Sequence, residues 1–126
     1  MIGLVVVSLS EQAANGIREV AAEMAGDVPI EAVGGDPDGG LGTSTPVIQE
    51  ALDSLADEDG VVVLVDLGSA VMNTELAIEM ADVEAEIADA PILEGAVNAA
   101  VTANSPKATV ESVLEAAEEA GEISKL

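Results

Sequence analysis

Three stretches of this chain carry residue types suited to holding a small anion. They are Ser8-Leu9-Ser10, Gly40-Leu-Gly-Thr-Ser-Thr45 and Asp66-Leu-Gly-Ser69. Glycines let backbone N–H groups approach an anion closely, and the start of a helix adds partial positive charge. Serine and threonine hydroxyls add further donors. Together these features describe a pocket for a phosphoryl group. The residue at its centre does not fit. Leu9 occupies the place where the layout asks for a nucleophile, and the 126-residue chain contains no histidine and no cysteine. Leucine has no donor, no acceptor and no titratable proton, so either the site does no covalent chemistry or the residue that did it has been replaced.

Each stretch also has a structural reading. A Gly-Thr-Ser loop before a helix supplies an N-cap, and Asp66 can cap a helix beginning near Ser69. Ser69 and Asn73 fit a turn and a helix surface, and Leu9 fits a packing position. What raises the functional reading is the expected convergence of all three stretches on one edge of a sheet.

The elements that must position them follow from the hydropathy pattern. Ile2–Val7 and Val61–Val65 are apolar, mostly β-branched runs that suit strands buried on both faces. Residues 11–25 have helical apolar spacing, with Ser10 as N-cap and Gly26 as stop. Val28–Val33 reads as a second strand and residues 34–45 as a loop. A helix is expected from Pro46 to about Ala56, and another from about Ala70 to Ala81. Glu84–Ala88 is a weaker strand, followed by helices over 91–103 and 106–120. Strands alternate with helices, which predicts an α/β domain over residues 1–126 with an open, mainly parallel sheet and helices on both faces. In such sheets ligands bind outside the carboxyl ends of the strands, where the three stretches fall.

Composition narrows the function. Hydrophobic residues make up 49% without a single aromatic, so an aliphatic core is feasible. The absence of cysteine and histidine removes disulfides, a conventional zinc site and a Ser-His-Asp triad, and no metal or cofactor is expected. No apolar run reaches membrane-spanning length and no signal peptide is read at residues 1–7. Twenty-five acids against Arg18, Lys107 and Lys125 give a formal charge of −22, which excludes a basic nucleic-acid patch. That self-repulsion opposes folding in dilute buffer, and most of it disappears at about 1 M salt, where the screening length is ~3 Å. A salt-rich cytoplasm is the expectation. The P-loop and the dinucleotide fingerprint are both missing. A response-regulator receiver needs an acidic pair after the first strand, where Ser8 and Ser10 stand, and a lysine at a later strand end, where none is available.

The segments Val5-Val-Val-Ser-Leu-Ser10, Gly40-Leu-Gly-Thr43, Val63-Leu-Val-Asp-Leu-Gly-Ser-Ala70 and Ala90-Pro-Ile-Leu-Glu-Gly-Ala96 resemble one family. It is the DhaM family, the phosphocarrier subunits of phosphoenolpyruvate-dependent dihydroxyacetone kinases, which have the mannose-type IIA fold. The resemblance runs from Met1 to about residue 120. It implies a cytoplasmic homodimer that takes phosphate from phospho-HPr on a histidine. The phosphate then passes to ADP on the nucleotide-carrying kinase subunit. Carried over, the histidine position is Leu9 and Asp66 is the carboxylate that orients the ring. Ser8, Ser10, Gly42, Thr43, Gly68 and Ser69 fall in the segments around the phosphoryl group. Some family members carry fused HPr-like domains, for which this chain has no room, so a separate HPr is implied. An isolated Leu9 in otherwise intact surroundings reads as replacement of a working histidine. The competing expectations are a non-catalytic regulatory or docking protein on the same fold and a small-anion module using loop amides alone.

Overall fold

A computed structural model describes all residues from Met1 to Leu126. Strand β1 (Ile2–Ser8) lies at the centre, flanked by β2 (Ile30–Gly34) on one side and β3 (Gly60–Val65) on the other, with β4 (Ala85–Ile87) beyond β3. All three pairings are parallel. The expectation of a mainly parallel sheet therefore becomes a wholly parallel one. Every residue of β1 and β3 is buried, as uninterrupted Val and Leu runs require when both faces are covered.

Helices α1 (Glu11–Ala25), α4 (Ile92–Ala103) and α5 (Val110–Glu119) cover one face, and α2 (Thr45–Asp53) and α3 (Gly68–Met80) cover the other. The first layer is packed through small side chains. Ala14, Ala21 and Ala25 of α1 and Ala96, Ala99, Ala100 and Ala103 of α4 are buried with Leu4, Val6, Val62 and Leu64 of the sheet. Short side chains let helices approach closely, which is how a chain without aromatics fills its interior. On the opposite face Val5, Val7, Val61 and Val63 pack on Ile48 and Leu52 of α2 and Ala70 and Ala77 of α3.

Some boundaries differ from the sequence reading. Strand β2 begins at Ile30 rather than Val28, because the Val28 N–H bonds the Ala25 carbonyl and closes α1. Helix α2 ends at Asp53 rather than near Ala56, in a turn where the Ser54 hydroxyl donates to the Ala51 carbonyl at 2.6 Å. Helix α5 starts at Val110, not Pro106. Thr109 and Ser112 form a reciprocal capping box there, and residues 104–108 form the turn before it. None of these differences touches the carboxyl edge of the sheet.

Candidate functional site

The carboxyl ends of β1 and β3 lie side by side. The register pairs Val6 with Leu64 and Val7 with Val65, so one further step brings Ser8 beside Asp66. Both continue the side-chain alternation that sends Leu4, Val6, Val62 and Leu64 toward the α1 and α4 face. The Ser8 hydroxyl donates to Asp66 Oδ2 at 2.7 Å. The Leu9 N–H donates to the same oxygen at 3.1 Å, and the Leu67 N–H donates to Oδ1 at 2.8 Å. Asp66 therefore takes three donors from two strand ends. Burial of a carboxylate is unfavourable unless its oxygens are bonded, and these bonds meet that need.

Residue 9 is held on its other side as well. Its carbonyl accepts from the Gly42 N–H at 2.8 Å, which ties the loop before α2 to the end of β1. Gly42 has φ +147°, a conformation open to glycine, and a Cβ there would come within 3.3 Å of the Asp36 Cβ. One residue further along, Thr43 Oγ1 accepts from the Asn73 side-chain amide on α3. The three stretches expected to converge are thus joined by hydrogen bonds.

The other anticipated residues divide by what their polar groups are doing. Ser10 caps α1, its Oγ accepting from the Ala13 N–H at 3.2 Å. The Ser8 hydroxyl is 2% exposed and fully engaged, since it also accepts from the Ser10 N–H at 3.0 Å. The Gly42 N–H is likewise committed, to Leu9. Ser8 and Gly42, expected around the phosphoryl group, tie the corner together here, because strand-end register and loop closure bring partners for their donors. Gly68 and Ser69 are exposed in the first turn of α3, where N–H groups lack intrahelical acceptors. Thr43 accepts from Asn73 and keeps its hydroxyl proton. Leu67, not Asp66, is the N-cap residue of α3. Leu9 is partly exposed rather than packed in the core.

A groove of about 520 Å³ runs beside this corner, lined by Asp66, Leu67, Gly68, Ile87 and Asp89 among others. No lysine or arginine enters the hydrogen bonds of the corner. Arg18 lines a separate groove with Gly26 and Ile30, and Lys125 pairs with Glu94 in the first turn of α4. The Lys125 ammonium, and next the Glu94 backbone N–H, hold the Glu94 carboxyl below its ordinary value.

Sequence reasoning missed Gly34, the last residue of β2. A Cβ there would sit 2.6 Å from the Ser10 carbonyl oxygen and 2.8 Å from that of Ser8. Only glycine lets β2 end against the β1–α1 turn. A glycine closing an apolar run was the available signal.

Comparison with known proteins gives the family and the fold. Residues 3–114 match the family model of the phosphotransferase-system fructose IIA component. The phosphoryl donor subunit DhaM of dihydroxyacetone kinase 1 of Listeria innocua is 43% identical over 94 residues, 75% of each chain. The corresponding subunit of kinase 2 in that organism is 39% identical over 106 residues, 80% of this chain and 85% of that one. DhaM of Escherichia coli is 35% identical over 113 residues, but this chain spans only 24% of its length. A crystal structure of a protein of unknown function superposes with a TM-score of 0.82 at 30% identity, covering 93% of this chain and 92% of that one. A phosphotransferase EIIA component of Streptococcus agalactiae shares the fold, with a TM-score of 0.69 at 18% identity over 97% of this chain and 93% of that one.

The fold and the family match over residues 3–114 define a IIA-type component of the phosphotransferase system. Within that class the chain belongs to the DhaM-like family of phosphotransferase IIA-type subunits.

Proposed function

We propose that this chain is a phosphoryl-relay subunit of a phosphoenolpyruvate-dependent dihydroxyacetone kinase, with its covalent step blocked at Leu9. The relay runs from phospho-HPr to the ADP-binding kinase subunit. In each step a P–N bond to one imidazole, or a P–O bond to ADP, forms as another P–N bond breaks. The acceptor must attack in line and later leave readily, and neutral imidazole near pH 7 does both. Leu9 can do neither. Ser8 and Ser10 are poor substitutes, because an alkoxide leaves less readily than imidazole and both serine oxygens already serve as hydrogen-bond partners.

The observation that carries this reading is the hold on residue 9. Its N–H is bound to Asp66 and its carbonyl to Gly42, so its side chain has a set origin whatever its chemistry. In a Leu9→His protein Asp66 would orient the ring and fix its tautomer. The exposed starts of α3 at Gly68 and Ser69, with the Thr43 hydroxyl, would receive the phosphoryl oxygens. The relay is tested by labelling Leu9→His through phosphoenolpyruvate, enzyme I and HPr. The labelled protein is then mixed with the ADP-loaded kinase subunit and dihydroxyacetone. Label should pass to the triose. Retention of all label on the carrier would contradict the relay.

A cytoplasmic homodimer is part of the same proposal. Met72, Leu76 and Met80, spaced four residues apart along α3, are 68%, 51% and 53% exposed, which supports an apolar contact between copies. Sedimentation in molar salt should give twice the chain mass, and a strict monomer at micromolar concentration would remove this part. Leu9 itself favours a second reading, a docking or regulatory protein that engages the same partners without accepting phosphate. In that case the Leu9→His protein would bind HPr yet stay unlabelled.

A further inference from the structure

We infer that Ser8 is a positioning residue for position 9 and not a ligand of the transferred phosphoryl group. The inference builds on the relay reading. Ser8 is one of two buried polar side chains in the chain, the other being Thr74, whose hydroxyl has no partner. A hydroxyl at the end of a run of valines is unfavourable to bury unless both its donor and its acceptor sides are used. Here both are. The proton goes to Asp66 Oδ2 at 2.7 Å, and a lone pair takes the Ser10 N–H at 3.0 Å. The residues bonded to Ser8 thus bracket position 9. Asp66 holds the residue-9 N–H, and Ser10 is the next residue and the cap of α1.

The consequence is mechanical. Asp66 Oδ2 has two donors, Ser8 Oγ–H and the Leu9 N–H, and together with the Leu67 N–H on Oδ1 they fix the plane of the carboxylate. Remove the hydroxyl and Asp66 keeps only backbone donors, while the Ser10 N–H loses its acceptor. The carboxylate is then held less firmly, by the Leu9 and Leu67 N–H groups alone, and the turn that carries residue 9 loosens. A serine so engaged has no proton left for a phosphoryl oxygen. Threonine preserves both bonds, and alanine preserves neither.

The test uses the full chain with Leu9→His, alone and combined with Ser8→Ala or Ser8→Thr. Nitrogen-15 NMR of the ring reports the tautomer, and labelling from phospho-HPr gives kcat and KM. The expected result is a single tautomer in Leu9→His and a mixture in the Ser8→Ala combination. The labelling kcat should fall on the order of tenfold or more with KM unchanged, and Ser8→Thr should restore both readouts. An unchanged tautomer and rate in Ser8→Ala would overturn the inference. So would failure of Ser8→Thr to restore either, since the extra methyl leaves the bonding capacity intact.

A second measurement guards against misfolding. In the chain carrying Leu9, Ser8→Ala should speed hydrogen exchange at the Leu9 and Ser10 amides and leave Val5 and Val6 protected. A uniform rise along β1 would contradict a local positioning role. The two ideas fail separately. A tautomer that depends on Ser8 in a protein that never accepts phosphate defeats the relay alone. Normal labelling with an indifferent Ser8 defeats the positioning role alone.

Discussion

Asp66 and Glu94 are two carboxylates in segments at the same edge of the sheet, one following β3 and the other in the first turn of the helix after β4. Asp66 is part-buried and takes three donors from residues at and just beyond the ends of two paired strands. Glu94 takes its main partner from Lys125, a side chain that is 75% exposed and next to Leu126. Both are acids of a chain with formal charge −22, yet their surroundings make them do different things. Donors anchored in a sheet hold a carboxylate still enough to orient another group. A long, solvated lysine does not, because holding it costs side-chain entropy and water screens the pair.

The sharpest way to break the comparison is in the Leu9→His background. There Asp66→Ala should slow phosphoryl acceptance on the order of a hundredfold or more, whereas Glu94→Gln should leave it unchanged. Equal effects would mean that Asp66 is only a brace. Stability should report on the packed corner without any reference to activity. Gly34→Ala should cost about 3 kcal/mol, because its Cβ meets two main-chain oxygens that cannot turn away. Asp66→Ala should cost about 2 kcal/mol by stranding its donors. Urea titration in molar KCl measures both. A Gly34→Ala protein as stable as its parent would show that the β1–α1 turn yields easily.

Salt should sharpen the contrast. Exposed acids such as Glu11, Glu19 and Glu23 repel one another until counterions screen them, so the melting temperature should rise from low salt to molar KCl by circular dichroism. Equal stability in dilute buffer would contradict the halophilic expectation. The smallest effect is expected at Glu94. Its folded-state carboxyl lies below its ordinary value of 4.5. Its contribution is therefore present above 4.5 and lost as pH falls through the lower folded value. Glu94→Gln should flatten only that acid portion of the stability profile, by an amount near the limit of detection at neutral pH.

How much of this was legible before the structure depends on the range of the interactions. Strands β1 and β3 were read to within a residue, because uninterrupted β-branched runs leave few alternatives. The start of α5 was misplaced by four residues. Pro106 is a fair first helical residue by local rules, but the Thr109–Ser112 capping box defines the actual start. The meeting of Ser8–Ser10, Gly42–Thr43 and Asp66–Ser69 followed from topology alone. Which donors would be spent inside that meeting did not follow. That Ser8 faces Asp66 depends on the β1–β3 register, and that Gly42 reaches Leu9 depends on the path of residues 35–44. Neither is a local property of sequence. The role of Gly34 was hidden for the same reason, since its constraint comes from a turn that precedes it by more than twenty residues.

The central claim is that the corner around residue 9 is built for a phosphoryl acceptor and lacks only the side chain. Phosphorus-31 NMR after incubation with phosphoenolpyruvate, enzyme I and HPr tests it most directly. The chain with Leu9 should show no protein-bound signal, and Leu9→His should show one, acid-labile and base-stable, at one phosphate per chain. A labelled Leu9 protein, or a folded Leu9→His protein that stays unlabelled, would contradict the account.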